Sequence, residues 1–116
     1  MKLTGITTFL ALASSFDAVQ AVINGRCTNP NTGGQYQYGV CVRIADCQAA
    51  GGYTLNNWCP YDGNGVKCCV KSNCHPTRDD DICAFTSECS RRGGQTLNNR
   101  CPGGDNFKCC YGMVRP

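Results

Sequence analysis

The stretch CVRIADCQAAGGYTLNNWCPYDGNGVKCC, residues 41–69, is written a second time as CAFTSECSRRGGQTLNNRCPGGDNFKCC, residues 83–110. Both copies follow C-x5-C-x11-C-x(7,8)-C-C, with Gly-Gly, Thr-Leu-Asn-Asn, Cys-Pro and Lys-Cys-Cys in the same order. Cys27 precedes the first copy and Cys74 the second, so the 12 cysteines divide into two sets of six. A repeat that keeps cysteines, turn residues and one polar motif is a duplicated module. The expected domains are therefore a first cysteine-rich module at 22–72 and a second at 73–116.

Residues 1–21 read as a secretory signal: Lys2 is the charged start, an apolar run follows, and Val19-Gln20-Ala21 offers a cleavage site. Export to an oxidising, extracellular location is the expectation, with no transmembrane anchor. Each module is under about 50 residues, too small for an ordinary apolar core, so covalent staples are needed. An even number of cysteines at repeated spacings supplies them as disulfides. Closing a loop of about 15 residues contributes roughly 3 kcal/mol in the chain-entropy picture, which makes the bridges the main source of stability.

The formal net charge is +3. That permits attraction to anionic envelopes but gives no dense basic stripe, which argues against nucleic acid as a partner. No cofactor is expected. Adjacent cysteines without the C-x2-C or paired-histidine spacing of zinc sites point to disulfides and away from metal. The single histidine, His75, has no free cysteine or paired serine to activate. Asp79, Asp80 and Asp81 read as a solvated loop, with weak calcium binding as the alternative. No enzyme is expected.

Along the chain, residues 27–34 read as a loop, and Gln35 opens a strand in which Tyr36, Tyr38 and Val40 share one face. Residues 43–50 suit one or two helical turns, ended by the left-handed cap that Gly51-Gly52 can supply. Residues 53–58 and 66–70 flank a Pro/Asp-Gly/Asn-Gly loop and read as an antiparallel hairpin, and 95–100 with 107–111 repeat it. The fold class expected is small, disulfide-rich β, α+β at most: two tandem modules, each a three-stranded antiparallel sheet with a short helical turn and three disulfides. Only three residues, 71–73, join them, so a compact pair and a monomer are expected.

Surface chemistry is less symmetric than the scaffold. Tyr36, Tyr38, Tyr53, Trp58 and Tyr61 all lie in the first copy; where it has Tyr53, Trp58 and Tyr61, the second has Gln95, Arg100 and Gly103. Rings beside Asn and Gln amides suit sugars, because a ring stacks on an apolar sugar face while amides bond hydroxyls. The candidate ligand-binding residues are Tyr36, Tyr38, Trp58 and Tyr61. Arg91 and Arg92 join them as contacts for anionic polymers. Cross-strand packing is the structural alternative for Tyr53 and Trp58, and a turn-forming role is the favoured one for Thr-Leu-Asn-Asn.

The six-cysteine unit, with Gly-Gly before the fourth cysteine and Lys before the final pair, resembles the β-defensin layout. That resemblance implies the pairs Cys27–Cys68, Cys41–Cys59 and Cys47–Cys69, then Cys74–Cys109, Cys83–Cys101 and Cys89–Cys110; spacing alone leaves fifteen pairings open per module. The C-x5-C…GG…CP…xxCC pattern also resembles the N-terminal cysteine-rich modules of secreted fungal cell-wall hydrolases, including peptidoglycan-cutting peptidases. This likeness implies a non-catalytic wall-binding role, with a bacterial cell-wall glycan or glycopeptide as partner and an associated hydrolase as a second one. The runner-up is an antimicrobial defensin-like protein, and behind it a small protease inhibitor, acting through Arg78, or a secreted effector.

Overall fold

A computed structural model of the chain describes residues 24–114; the signal segment 1–21 lies outside them. The chain forms β1 (Arg26–Thr28), β2 (Gln35–Arg43), helix α1 (Ile44–Ala49), β3 (Tyr53–Leu55) and β4 (Val66–Val70). The second copy forms β5 (Ile82–Phe85), α2 (Thr86–Arg91), β6 (Gln95–Leu97) and β7 (Phe107–Tyr111). The result is small, disulfide-rich and mostly antiparallel β. One sheet has the order β1-β2-β4-β3 and the other β5-β7-β6.

The first sheet therefore has four strands where three were expected. Thirteen residues separate Cys27 from Cys41, but only eight separate Cys74 from Cys83. The longer interval has room to turn back on itself. Asn29 organises that reversal: its side-chain oxygen accepts the amides of Asn31 and Thr32, and its own amide bonds Gly34 at 2.8 Å. Arg26–Thr28 can then pair with β2 as an added edge.

All twelve cysteines are bridged, in the pairs named above, with Cα–Cα distances from 5.6 Å for Cys27–Cys68 to 5.9 Å for Cys41–Cys59. The repeated Gly-Gly serves them directly. Gly51 and Gly93 sit at φ +80° and +72°, closing α1 and α2 as left-handed caps. The next glycine in each pair lies against a bridge: a Cβ on Gly52 would come within 2.8 Å of Cys69 Sγ, and one on Gly94 within 2.7 Å of Cys110 Sγ. One glycine bends the chain and the other clears space for sulfur.

Residues Gly39 to Val42 are buried, so this part of β2 does not alternate between core and solvent. Cys41 packs with Cys27 and Cys68 on the first sheet's own side, while Val40 and Val42 join Phe85, Phe107 and Cys109 of the second copy. One continuous core thus runs through both sheets. The expected common face for Tyr36, Tyr38 and Val40 does not form. Arg26 pairs with Val40 but Cys27 with Tyr36, an irregularity that breaks the two-residue period of β2. Val40 enters the shared core, Tyr36 packs on the first sheet's cluster, and Tyr38 packs on Ala84, Cys89 and Cys110 of the second copy.

Main-chain bonds continue across the joint. The Cys83 amide donates to Lys71 O at 2.8 Å, and Ser72 bridges to Ile82. Arg26 lays its guanidinium 4.1 Å from the Phe85 ring centre and donates to Ser87 Oγ.

Candidate functional site

Trp58 is presented by the turn that follows β3. Asn57 takes φ +68°, and its counterpart in the second copy, Asn99, takes +61°, a left-handed conformation that Asn tolerates better than other residues with a side chain. This is the physical reason for the second asparagine of each Asn-Asn pair. Asn56 is also engaged, since its side-chain oxygen accepts from Lys67 Nζ at 2.6 Å. The Trp58 carbonyl accepts the Thr28 amide at 2.7 Å, tying the turn to β1.

From this position Trp58 meets Tyr36, with ring centres 6.1 Å apart and planes inclined at 50°. Tyr36 in turn meets Tyr38 edge-on at 5.9 Å. Such aromatic pairs contribute about 0.5–1.5 kcal/mol beyond area burial. All three rings are half-buried, Tyr36 and Trp58 against the cluster of Cys27, Cys41 and Cys68 and Tyr38 against Ala84, Cys89 and Cys110. Burial, and then the neighbouring Tyr53 and Tyr38 hydroxyls, raise the Tyr36 pKa above 10.0, so at neutral pH it is a phenol able to donate a hydrogen bond. Tyr53 is exposed, and Tyr61 is more so, at 76 %. Tyr61 stands in the loop between β3 and β4 and takes no part in the ring cluster.

The two arginines do not stand free as expected. Both bind Glu88, whose side chain is only 6 % exposed: Arg91 Nη2 donates to Oε2 at 2.7 Å and Arg92 Nε to the same oxygen at 2.6 Å. These bonds, Arg92's first, hold the Glu88 carboxyl below its ordinary 4.5. Three charges there sum to a single positive one. Arg92 does reach the rings, with its guanidinium carbon 5.9 Å from the Tyr38 ring centre. Tyr36, Tyr38, Trp58 and Arg92 are thus brought together, while Tyr61 and Arg91 are not part of the group.

The remaining sequence candidates are committed elsewhere. Arg78 binds Asp80 through two bonds of 2.7 and 2.6 Å, which push the Asp80 carboxyl down to about 2. Asp81 is buried and accepts the His75 amide at 2.5 Å. Asp79, Asp80 and Asp81 line one shallow cavity with Tyr38 and Arg92, and the second oxygen of Asp81 is buried without a partner. The His75 ring packs on Tyr111 at 4.6 Å. Among the described residues, close clusters of possible metal-ligand atoms are built on cysteines whose sulfurs are already bridged.

A cleft where the copies meet escaped the sequence reading. Its volume is about 720 Å³, and Val42, Asp46, Lys71, Asn73, Arg100 and Pro102 help to line it. The available signal was the three-residue joint that begins with Lys71, together with an arginine standing where the first copy has Trp58.

An uncharacterized secreted protein of Arthroderma benhamiae is similar to this chain, 40% identical over 75 residues, which is 64% of this chain and 28% of the relative. The chain thus spans less than a third of that relative's length. No protein-family model matches, and no solved structure gives a significant match. Among the described residues no helix is long and apolar enough to cross a membrane.

Proposed function

We propose that this is an exported, non-catalytic cell-wall-binding protein built from two tandem β-defensin-like modules, recognising bacterial peptidoglycan or a related glycan through Tyr36, Tyr38 and Trp58. The observation that carries the reading is the contiguous ring cluster, which occurs in only one copy of an otherwise repeated scaffold. Disulfide-braced strands hold the rings in place, so little ordering entropy is lost when a ligand lands on them. A ring stacked on a sugar contributes on the order of 1 kcal/mol, and two or three rings with a few hydrogen bonds reach micromolar affinity. The single net positive charge at Arg91, Arg92 and Glu88 adds a minor, salt-sensitive attraction beside Tyr38. Export is supported by the signal-like leader, by six disulfides and by a relative that is itself named as secreted.

The test is a pull-down on insoluble peptidoglycan, with chitin and cellulose beside it, using wild type, Tyr38→Ala, Trp58→Ala and Tyr61→Ala. Wild type should sediment with peptidoglycan. Tyr38→Ala and Trp58→Ala should each weaken binding about tenfold, and Tyr61→Ala should leave it unchanged. Wild type left in the supernatant, or ring variants that bind as well as wild type, would refute the reading. Bacterial killing at low micromolar concentration without wall binding would favour the antimicrobial alternative.

A further inference from the structure

We infer that the cleft between the two copies is a second ligand site, one that takes the acidic group, a carboxylate or a phosphate, of a sugar unit. The cleft is open to solvent and has a volume of about 720 Å³, within the range of roughly 300–1,000 Å³ that small-molecule sites occupy, and it lies at a seam between packed units, where such sites concentrate.

Its lining is charged. Elsewhere the second copy's arginines are consumed by carboxylates, Arg78 by Asp80 and both Arg91 and Arg92 by Glu88. Lys71 and Arg100 line the cleft and make no ion pair among the described residues. Asp46 faces the same space, so the lining carries one net positive charge. Two uncommitted cations fit an oxyanion, and the arginine fork matches a carboxylate or a phosphate with two parallel bonds. The Asn73 and Asn99 amides and the small apolar surface of Pro102 complete a lining suited to hydroxyls and a sugar ring.

The repeat shows how the site arises. Residue 58 in the first copy and residue 100 in the second follow the same left-handed asparagine, so the same turn presents both. The first copy puts tryptophan there, in the ring cluster. The second puts arginine there, beside the seam. Asn73 is also left-handed, at φ +56°, so the backbone on this side of the cleft is constrained as well.

The experiment is an amide NMR titration of the full chain with glucuronic acid, glucose 6-phosphate, glucose and inorganic phosphate. Saturable shifts should appear at Lys71, Asn73, Asn99 and Gly103 with the acidic sugars. Glucose and phosphate alone should bind at least about fivefold more weakly, since each supplies only part of the contacts. The Lys71→Gln, Arg100→Gln double variant should lose at least about tenfold in affinity, since it removes both cations and one lost charge-assisted bond is already on that scale. Arg43→Gln should change nothing, and Tyr38→Ala should keep the response, which separates this site from the ring cluster. A response to only one of the two acidic sugars would identify the group and support the site. The inference is overturned if glucose or inorganic phosphate alone matches the acidic sugars, if the shifts fall elsewhere, or if the double variant binds like wild type.

Discussion

Glu88 is a buried carboxylate held by two arginines one helical turn away, and it makes the stability of the fold depend on pH in a definite direction. Its folded-state pKa lies below 4.5, so above that value it is ionised in both states and its stabilisation is complete. As pH falls through 4.5 the unfolded chain takes up the proton first, and the contribution is gone once pH drops below the lower folded value. Asp80, pushed down to about 2, acts with the same sign further into acid. Urea midpoints at low salt should therefore be flat from about pH 7 to 5 and fall below about pH 4, with a shallower fall in Glu88→Gln. At neutral pH that variant should lose about 1–2 kcal/mol, a modest figure because Arg91 and Arg92 retain access to water. A second residue-scale prediction concerns the glycines. Gly52→Ala would put a methyl 2.7 Å from the Val70 carbonyl and 2.8 Å from Cys69 Sγ, whereas a Cβ on Gly63 meets nothing within 4 Å. The first should cost about 1–3 kcal/mol in denaturant and the second almost nothing.

Among the elements, the hairpins, the helical turns and the Gly-Gly caps were legible in the sequence because each is fixed by neighbours in the chain, but the strands expected over 53–58 and 95–100 stop at Leu55 and Leu97, where the left-handed asparagines turn the chain. Asn57 and Asn99 belong with the locally fixed elements. Replacing either by Ala should cost about 1 kcal/mol, while Gly should be tolerated, since the position needs positive φ rather than an amide. Equal losses for Ala and Gly, read from denaturant midpoints, would contradict this. What stayed hidden depends on distant parts of the chain. Strand β1 pairs only because the Cys27–Cys41 interval turns at Asn29, and β2 is buried on two sides only because the second copy covers Val40 and Val42. The same holds at the candidate site. Tyr36, Tyr38 and Trp58 could be picked out from residue type and asymmetry between copies, but Arg92 reaches Tyr38 across the seam, which no local pattern encodes. The Glu88 pairing was readable and was missed: Arg91 and Arg92 stand three and four residues after it, where helical side chains meet.

At the scale of the whole molecule, the two copies are joined by a core that neither owns. Val40 and Val42 from the first copy and Phe85 and Phe107 from the second belong to one buried cluster, and Gly103 approaches Val40 so closely that a Cβ there would lie 3.1 Å from it. Unfolding one copy would expose the other's aromatic side chains. Calorimetry with the disulfides intact should accordingly show a single transition, with calorimetric and van't Hoff enthalpies equal. Two separated transitions would mean that the copies fold independently. On this rigid body the ring cluster is the proposed recognition surface, and the chain's one tryptophan lies within it. Trp58 fluorescence titrated with soluble disaccharide-peptide fragments of peptidoglycan is therefore the most direct test. Saturable change in intensity and wavelength, lost in Tyr38→Ala and absent with cellobiose, is the predicted result; emission that stays constant up to millimolar fragment would contradict the assignment of this face as a glycan-binding site.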